Sequence, residues 1–156
     1  MLMRRPLRYS GGRCENMLDW KEAHVEDRII GHISLDIFRR IVPNIMTDTV
    51  VLTEMSEAHI RAKHPDDLQA VIDNLPIIVS SPDYILEDRH KDTFTFAILL
   101  KEIHAEGTRY RVILKLAVAG GERDRNFVTT AFRISPKKWE KYLRNSRATS
   151  FTRYEP

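Results

Sequence analysis

Two alternating runs that meet at a glycine turn constrain this chain more than any other stretch. From Thr93 to Ile103, Phe94, Phe96, Ile98 and Leu100 fall on every second position. From Tyr110 to Val118, Tyr110, Val112, Leu114, Leu116 and Val118 do the same. A period of two puts successive side chains on opposite faces of a strand. Between the runs, Glu106-Gly107-Thr108 is a hairpin signal. A third run, Phe127 to Ile134, follows the glycine-hinged polar loop Gly120 to Arg125, and Tyr84-Ile85-Leu86 supplies a short strand ahead of them all. The pattern predicts an antiparallel sheet of about four strands in the C-terminal half.

The N-terminal half has a different texture. Arg28 to Ile33 and the β-branched run from Val50 read as short strands. Ser34 opens a short helix with Leu35, Phe38, Ile41 and Val42 on one face, stopped by Pro43. A second helix begins near Ser56 and ends at His64, because the residue before Pro65 is pushed out of the helical region. Asp66 and Asp67 suit the first turn of a third helix, with Leu68, Val71, Ile72 and Leu75 as its buried stripe. Pro76 is expected to break or restart it. Ser135-Pro136 opens a last helix, to about Arg144. Short helices followed by a meander and one closing helix make an α+β fold.

The chain has 156 residues, enough for one domain with a real core. Residues 19–146 form that single domain, between a flexible basic tail over residues 1–18 (Arg4, Arg5, Arg8 and Arg13) and a polar, basic C-terminal tail over residues 147–156. No apolar run reaches the roughly 20 residues that a membrane helix requires, and no apolar block follows the N-terminal arginines as in a secretory signal. One cysteine, Cys14, cannot build a disulfide framework and suits a reducing cytoplasm. The net charge of +3 permits a nucleic-acid partner without demanding one.

Charge becomes informative once register is considered. If the three long runs are neighbours, their off-core positions put Lys101, Arg111, Lys115, Thr129 and Arg133 on one sheet face, with no acid among them. Such a face is a seat for a phosphate backbone, although a solvated antiparallel sheet presents the same pattern. His59 and His64, with Arg61 and Lys63, share one short helix and its exit, so groups that titrate near neutrality stand beside fixed cations. Five positions apart, the two histidines do not share a helix face and do not form the His-Glu-x-x-His zinc pattern. No metal site and no cofactor motif is expected. The chain lacks a G-x-S-x-G elbow, a phosphate-cradling glycine loop and a C-x-x-C pair.

A series of short motifs runs through most of the chain. Thr53-Glu54 is followed by His59-Ile60 and His64-Pro65, then by Ser81-Pro82-Asp83-Tyr84-Ile85, Leu100-Lys101-Glu102-Ile103, Val128 to Ile134 and Tyr142-Leu143-Arg144-Asn145. This order resembles the phage-associated branch of the barnase–EndoU–colicin–RelE-like (BECR) nuclease superfamily. The resemblance implies helices packed on an antiparallel sheet that holds RNA, and cleavage without a metal. Carried onto this chain, it implies His59, His64, Lys101, Thr129 and Arg133 as catalytic residues and Tyr142 as a further contact; the basic sheet face adds Arg111 and Lys115 as substrate contacts, and the histidine helix adds Arg61. RNA, tRNA included, is then the expected partner, and a neutralising antitoxin or immunity protein a further one. Which histidine is base and which acid stays open. The alternative is a non-catalytic nucleic-acid- or protein-binding module of a phage or mobile element.

Overall fold

The structure, a computed structural model, describes residues 27–87, 96–121, 123–145 and 151–153. The expected tail over residues 1–18, and Phe94 of the first alternating run, lie outside them. The elements in order are β1 (Arg28–His32), α1 (Leu35–Phe38), β2 (Thr49–Leu52), α2 (Glu54–Lys63), α3 (Leu68–Ser80), β3 (Tyr84–Glu87), β4 (Phe96–Ile103), β5 (Thr108–Lys115), β6 (Asn126–Ile134), α4 (Pro136–Asn145) and β7 (Phe151–Arg153). The fold is α+β.

The sheet is larger than the meander alone. Seven strands lie in the order β1-β2-β6-β5-β4-β3-β7, where about four were expected. The N-terminal strands join the same sheet, because β2 runs parallel to the start of β6 through Val50 and Val51 opposite Asn126 and Phe127. All other neighbours are antiparallel. Within the expected C-terminal tail, Phe151 to Arg153 pairs with β3 as an edge strand. The β4–β5 hairpin turns at Gly107, whose φ of +68° is the left-handed conformation that glycine tolerates.

Helices cover the sheet on both faces. On one side Phe38, Ile60, Val71, Leu75, Ile78 and Val79 pack on Leu99, Val112, Leu114 and Val128 to form the main core. On the other, Trp139 of α4 packs with Leu86, Leu100 and Ile134, flanked by Phe132, Tyr142 and Leu143. α3 runs unbroken from Leu68 to Ser80 with Pro76 inside, so the expected break is absent. Proline removes one helix hydrogen bond and crowds the carbonyl four residues back, but Leu75, Ile78 and Val79 around it are fully buried, so packing holds the helix together. α2 is capped by Thr53 rather than opened at Ser56: the Ser56 N–H donates to Thr53 Oγ1 at 3.0 Å.

One buried polar side chain fixes the junction between the two halves. Asn126 is fully buried; its Nδ2 donates to the Thr47 and Thr49 carbonyls at 2.8 and 3.0 Å, and its Oδ1 accepts from the Ala117 N–H at 2.8 Å. No helix among the described residues is long and apolar enough to cross a membrane.

Candidate nucleic-acid face and its histidine

The expectation of a single basic face is corrected twice, by the β4–β5 register, which puts Leu100 rather than Lys101 opposite Arg111, and by a bulge. β5 and β6 shift register between Ile113 and Leu114: Ile113 faces Thr130, Leu114 faces Val128, and Thr129 is the extra residue. Its hydroxyl donates to the Ile113 carbonyl at 3.1 Å. One inserted residue reverses the parity of every side chain beyond it. Arg133 therefore stands opposite Tyr110, as Lys101 does from the other neighbour, on the side of the main core. Arg111 stands between Leu100 and Phe132, and Lys115 between Phe96 and Phe127, on the opposite face. The five residues expected together are split between two faces and a bulge.

The two cations on the main-core side are held by carboxylates. Lys101 Nζ lies 3.3 Å from Asp83 Oδ1, and Asp83 Oδ2 accepts from the Glu102 N–H at 2.8 Å. Arg133 Nε donates to Asp67 Oδ1 at 2.6 Å, its backbone N–H to Asp67 Oδ2 at 3.1 Å, and its Nη2 to the Asp66 carbonyl at 3.2 Å. Hydrogen bonding to Asp67 and its charge raise the Arg133 pKa above the ordinary arginine value. β2 ends at Leu52, so the later half of β6 has no strand on that side; Asp67 satisfies an edge N–H that a strand would otherwise pair. Arg61 pairs with Glu57, which also binds Arg28 of β1, on an exposed surface.

On the other face a different set converges. α2 ends at His64, whose N–H still donates to the Ile60 carbonyl and whose φ of −137° leaves the helix before Pro65. That exit delivers the imidazole onto Phe132, with centroids 4.2 Å apart and planes 18° from parallel. The Arg111 guanidinium carbon lies 5.2 Å from the Phe132 ring centre and 5.2 Å from that of Tyr142 on α4. Both distances fall within cation–π range. Arg111 Nε is buried without a hydrogen-bond partner, as are Arg109 Nε and the Thr130 hydroxyl on the same face. Arg109 still has the Glu102 carboxylate at 3.6 Å; no carboxylate lies within ion-pair distance of Arg111 among the described residues. Burial raises the Tyr142 pKa and Arg111 opposes that rise, so the phenol is neutral and able to donate at neutral pH.

His64 and Arg111 thus both contact the Phe132 ring, and Arg111 also the Tyr142 ring, with Lys115 farther along the same face. His59 is not among them: it is exposed on α2, roughly 140° around the helix from His64, and no side-chain hydrogen bond joins it to another described residue. Sequence reasoning missed Phe132, which reads simply as one more apolar position in an alternating strand. The signal available for it was Arg111, the second residue of the neighbouring run, but only the true register makes the two face each other. Among the described residues no group of three His, Cys, Asp or Glu is placed to hold a metal ion. No family model, curated protein or solved structure matches the chain.

Proposed function

We propose that this protein is a metal-independent RNA endonuclease that cleaves by attack of the 2′-hydroxyl on the adjacent phosphate. The observation that carries the reading is the meeting of His64 and a partner-poor Arg111 on the Phe132 ring, with the ring of a neutral Tyr142 phenol against the same Arg111. The motif series that resembles the BECR nucleases supports it. Cleavage of this kind needs a proton acceptor, a proton donor and fixed donors for the phosphate oxygens. His64 is the acid–base group, Arg111 meets the equatorial oxygens with its fork, and Tyr142 donates to the same phosphate. His59 is the second acid–base candidate, exposed on α2 about 140° around the helix from His64. Lys115 contacts the backbone away from the scissile bond. Lys101, Thr129 and Arg133, engaged as described, act on the architecture that presents these groups.

The test is incubation of the purified protein with total RNA and tRNA in EDTA, beside His64→Ala, His59→Ala and Arg111→Ala. The expected result is 2′,3′-cyclic phosphate ends, with turnover lowered roughly 100- to 10,000-fold by His64→Ala. A folded His64→Ala that cleaves at the wild-type rate removes His64 from the chemistry.

The second reading, a non-catalytic nucleic-acid-binding module of a mobile element, is favoured by the ion pairs that occupy Lys101 and Arg133. Binding of RNA without any cleavage would select it. A neutralising antitoxin or immunity protein belongs to the first reading and would cover the same face.

A further inference from the structure

The Arg111 centre occupies one end of its sheet face. Four residues farther along β5, about 14 Å at the ordinary strand rise, the face carries a second arrangement of rings and cations. Register puts Phe96, Lys115 and Phe127 in one row across β4, β5 and β6, and continues it through Val51 to Ile29 on β1. Lys115 Nζ lies 5.5 Å from the Phe96 ring centre, and Arg123 Cζ lies 4.7 Å over Phe127. Phe127 is half-buried, Arg123 is exposed, and Ile29 is 62% exposed at the end of the row. No strand residue described in this row carries a carboxylate, and α4 packs at the opposite end of the face, on Leu86, Leu100 and Ile134.

We propose that this row is a subsite for an unpaired RNA nucleotide, in which the base stacks on Phe127 with the Arg123 guanidinium and the adjoining phosphate lies on Lys115. It rests on reading the face as an RNA site, and it names the form of RNA bound there as single-stranded. A ring with a cation against it offers two things that an unpaired nucleotide can use, a π-face for the base and a charge for its phosphate. A duplex can use only the charge, because its base faces are stacked inside and its major groove is too narrow and deep for side chains on a sheet. The row and the Arg111 centre share a face, so one strand running along β5 reaches both. The absence of carboxylates from the row favours a polyanion over a protein partner of mixed charge.

The experiment measures binding apart from cleavage, using a fluorescent 2′-O-methyl oligoribonucleotide, which has no free 2′-hydroxyl to attack. Anisotropy is read for the single strand and for the same strand annealed to its complement, over a range of salt. The single strand is expected to bind more tightly than the duplex. Phe127→Leu, which keeps an apolar side chain but loses the ring, is expected to weaken the single strand roughly 5- to 150-fold. Arg123→Ala, at an exposed position that the fold does not need, is expected to weaken it in the same direction. Lys115→Gln is expected to lower the slope of log affinity against log salt by about 0.7. Wild-type affinity in both Phe127→Leu and Arg123→Ala overturns the subsite, as does equal affinity for the duplex. Failure of every RNA to bind, as expected of a face that docks a protein, overturns it too. Cleavage by wild-type protein whose Phe127 and Arg123 variants bind normally ends the subsite and leaves the nuclease. Ring-dependent binding of the single strand by a protein that never cleaves ends the nuclease and leaves the subsite.

Discussion

The His64 imidazole lies flat on the Phe132 ring, 4.2 Å between centroids and 18° between planes, while the Arg111 guanidinium stands 5.2 Å from that same ring. One half-buried aromatic on β6 therefore sets the position of a titratable group from a helix terminus and of a cation from the neighbouring strand. Phe132→Leu keeps most of the apolar contact but removes the flat surface. The fold should survive at a cost of about 1 kcal/mol, read in a urea melt. RNA turnover should fall roughly 100-fold, in kcat more than in KM, because displacing a reacting group by about 1 Å has that effect. An unchanged kcat in the folded variant would separate the stack from the chemistry.

Asp67 is expected to matter more than its partner Arg133. Its carboxylate holds both the Arg133 side chain and the β6 edge N–H, and its own N–H donates to the His64 carbonyl at 3.0 Å. The turn that carries His64 is thereby tied to the strand that carries Phe132. Asp67→Ala should lose about 1–2 kcal/mol, at the low end for charged hydrogen bonds because Arg133 is 44% exposed and screened by solvent. Arg133→Ala should lose less, since the edge N–H keeps its carboxylate. Stacking on Phe132 should shift the His64 ring protons upfield in the NMR spectrum, and in Asp67→Ala they should move toward free-imidazole values. Ring signals unchanged from wild type would show that the turn holds itself.

Asn126 supports the site from farther away. Its three hydrogen bonds join β2, β6 and the segment after β5 in a fully buried position. Asn126→Ala leaves two carbonyls and one N–H without partners, and should lose about 2–4 kcal/mol. Asn126→Asp should do no better, because a carboxylate cannot donate to Thr47 and Thr49 and its charge is buried. A thermal melt of both variants checks this; a wild-type midpoint in either would mean that the junction rearranges without it.

β3 to β6 were legible because alternation is a local property, and Gly107 marked the hairpin for the same reason; β7, inside the expected polar tail, was not. Which strands adjoin was not, since the parallel contact of Val50 and Val51 with Asn126 and Phe127 joins segments some 75 residues apart through a polar side chain. The bulge at Thr129 was the costly omission. Thr-Thr within a β-branched run carries no mark of an extra residue, yet it moves Arg133 away from Arg111 to the other side of the sheet. His64 and Arg111 were legible as candidates from residue type alone. That they meet on Phe132 depends on where α2 ends against an open strand edge, which no spacing encodes.

Alkaline titration tests the electrostatics of the site directly. Burial raises the Tyr142 pKa from its ordinary value near 10, and Arg111 pulls it back down. Tyr110, buried beside Asn74, is raised as well, by burial first and then by Glu106. A tyrosine whose folded pKa exceeds its unfolded one contributes stability that is intact below the unfolded value. That stability is lost as pH rises through the folded one, because the unfolded chain then ionises more readily. Stability should therefore hold up to about pH 10 and decline above it. Tyr142→Phe should make the decline shallower, as measured by urea melts at stepped pH. Arg111→Ala removes the opposing charge, so phenolate absorbance should show Tyr142 titrating at still higher pH. A downward shift in that variant would mean that the guanidinium does not face the phenol, and the grouping of Arg111 with Tyr142 and His64 would fall with it.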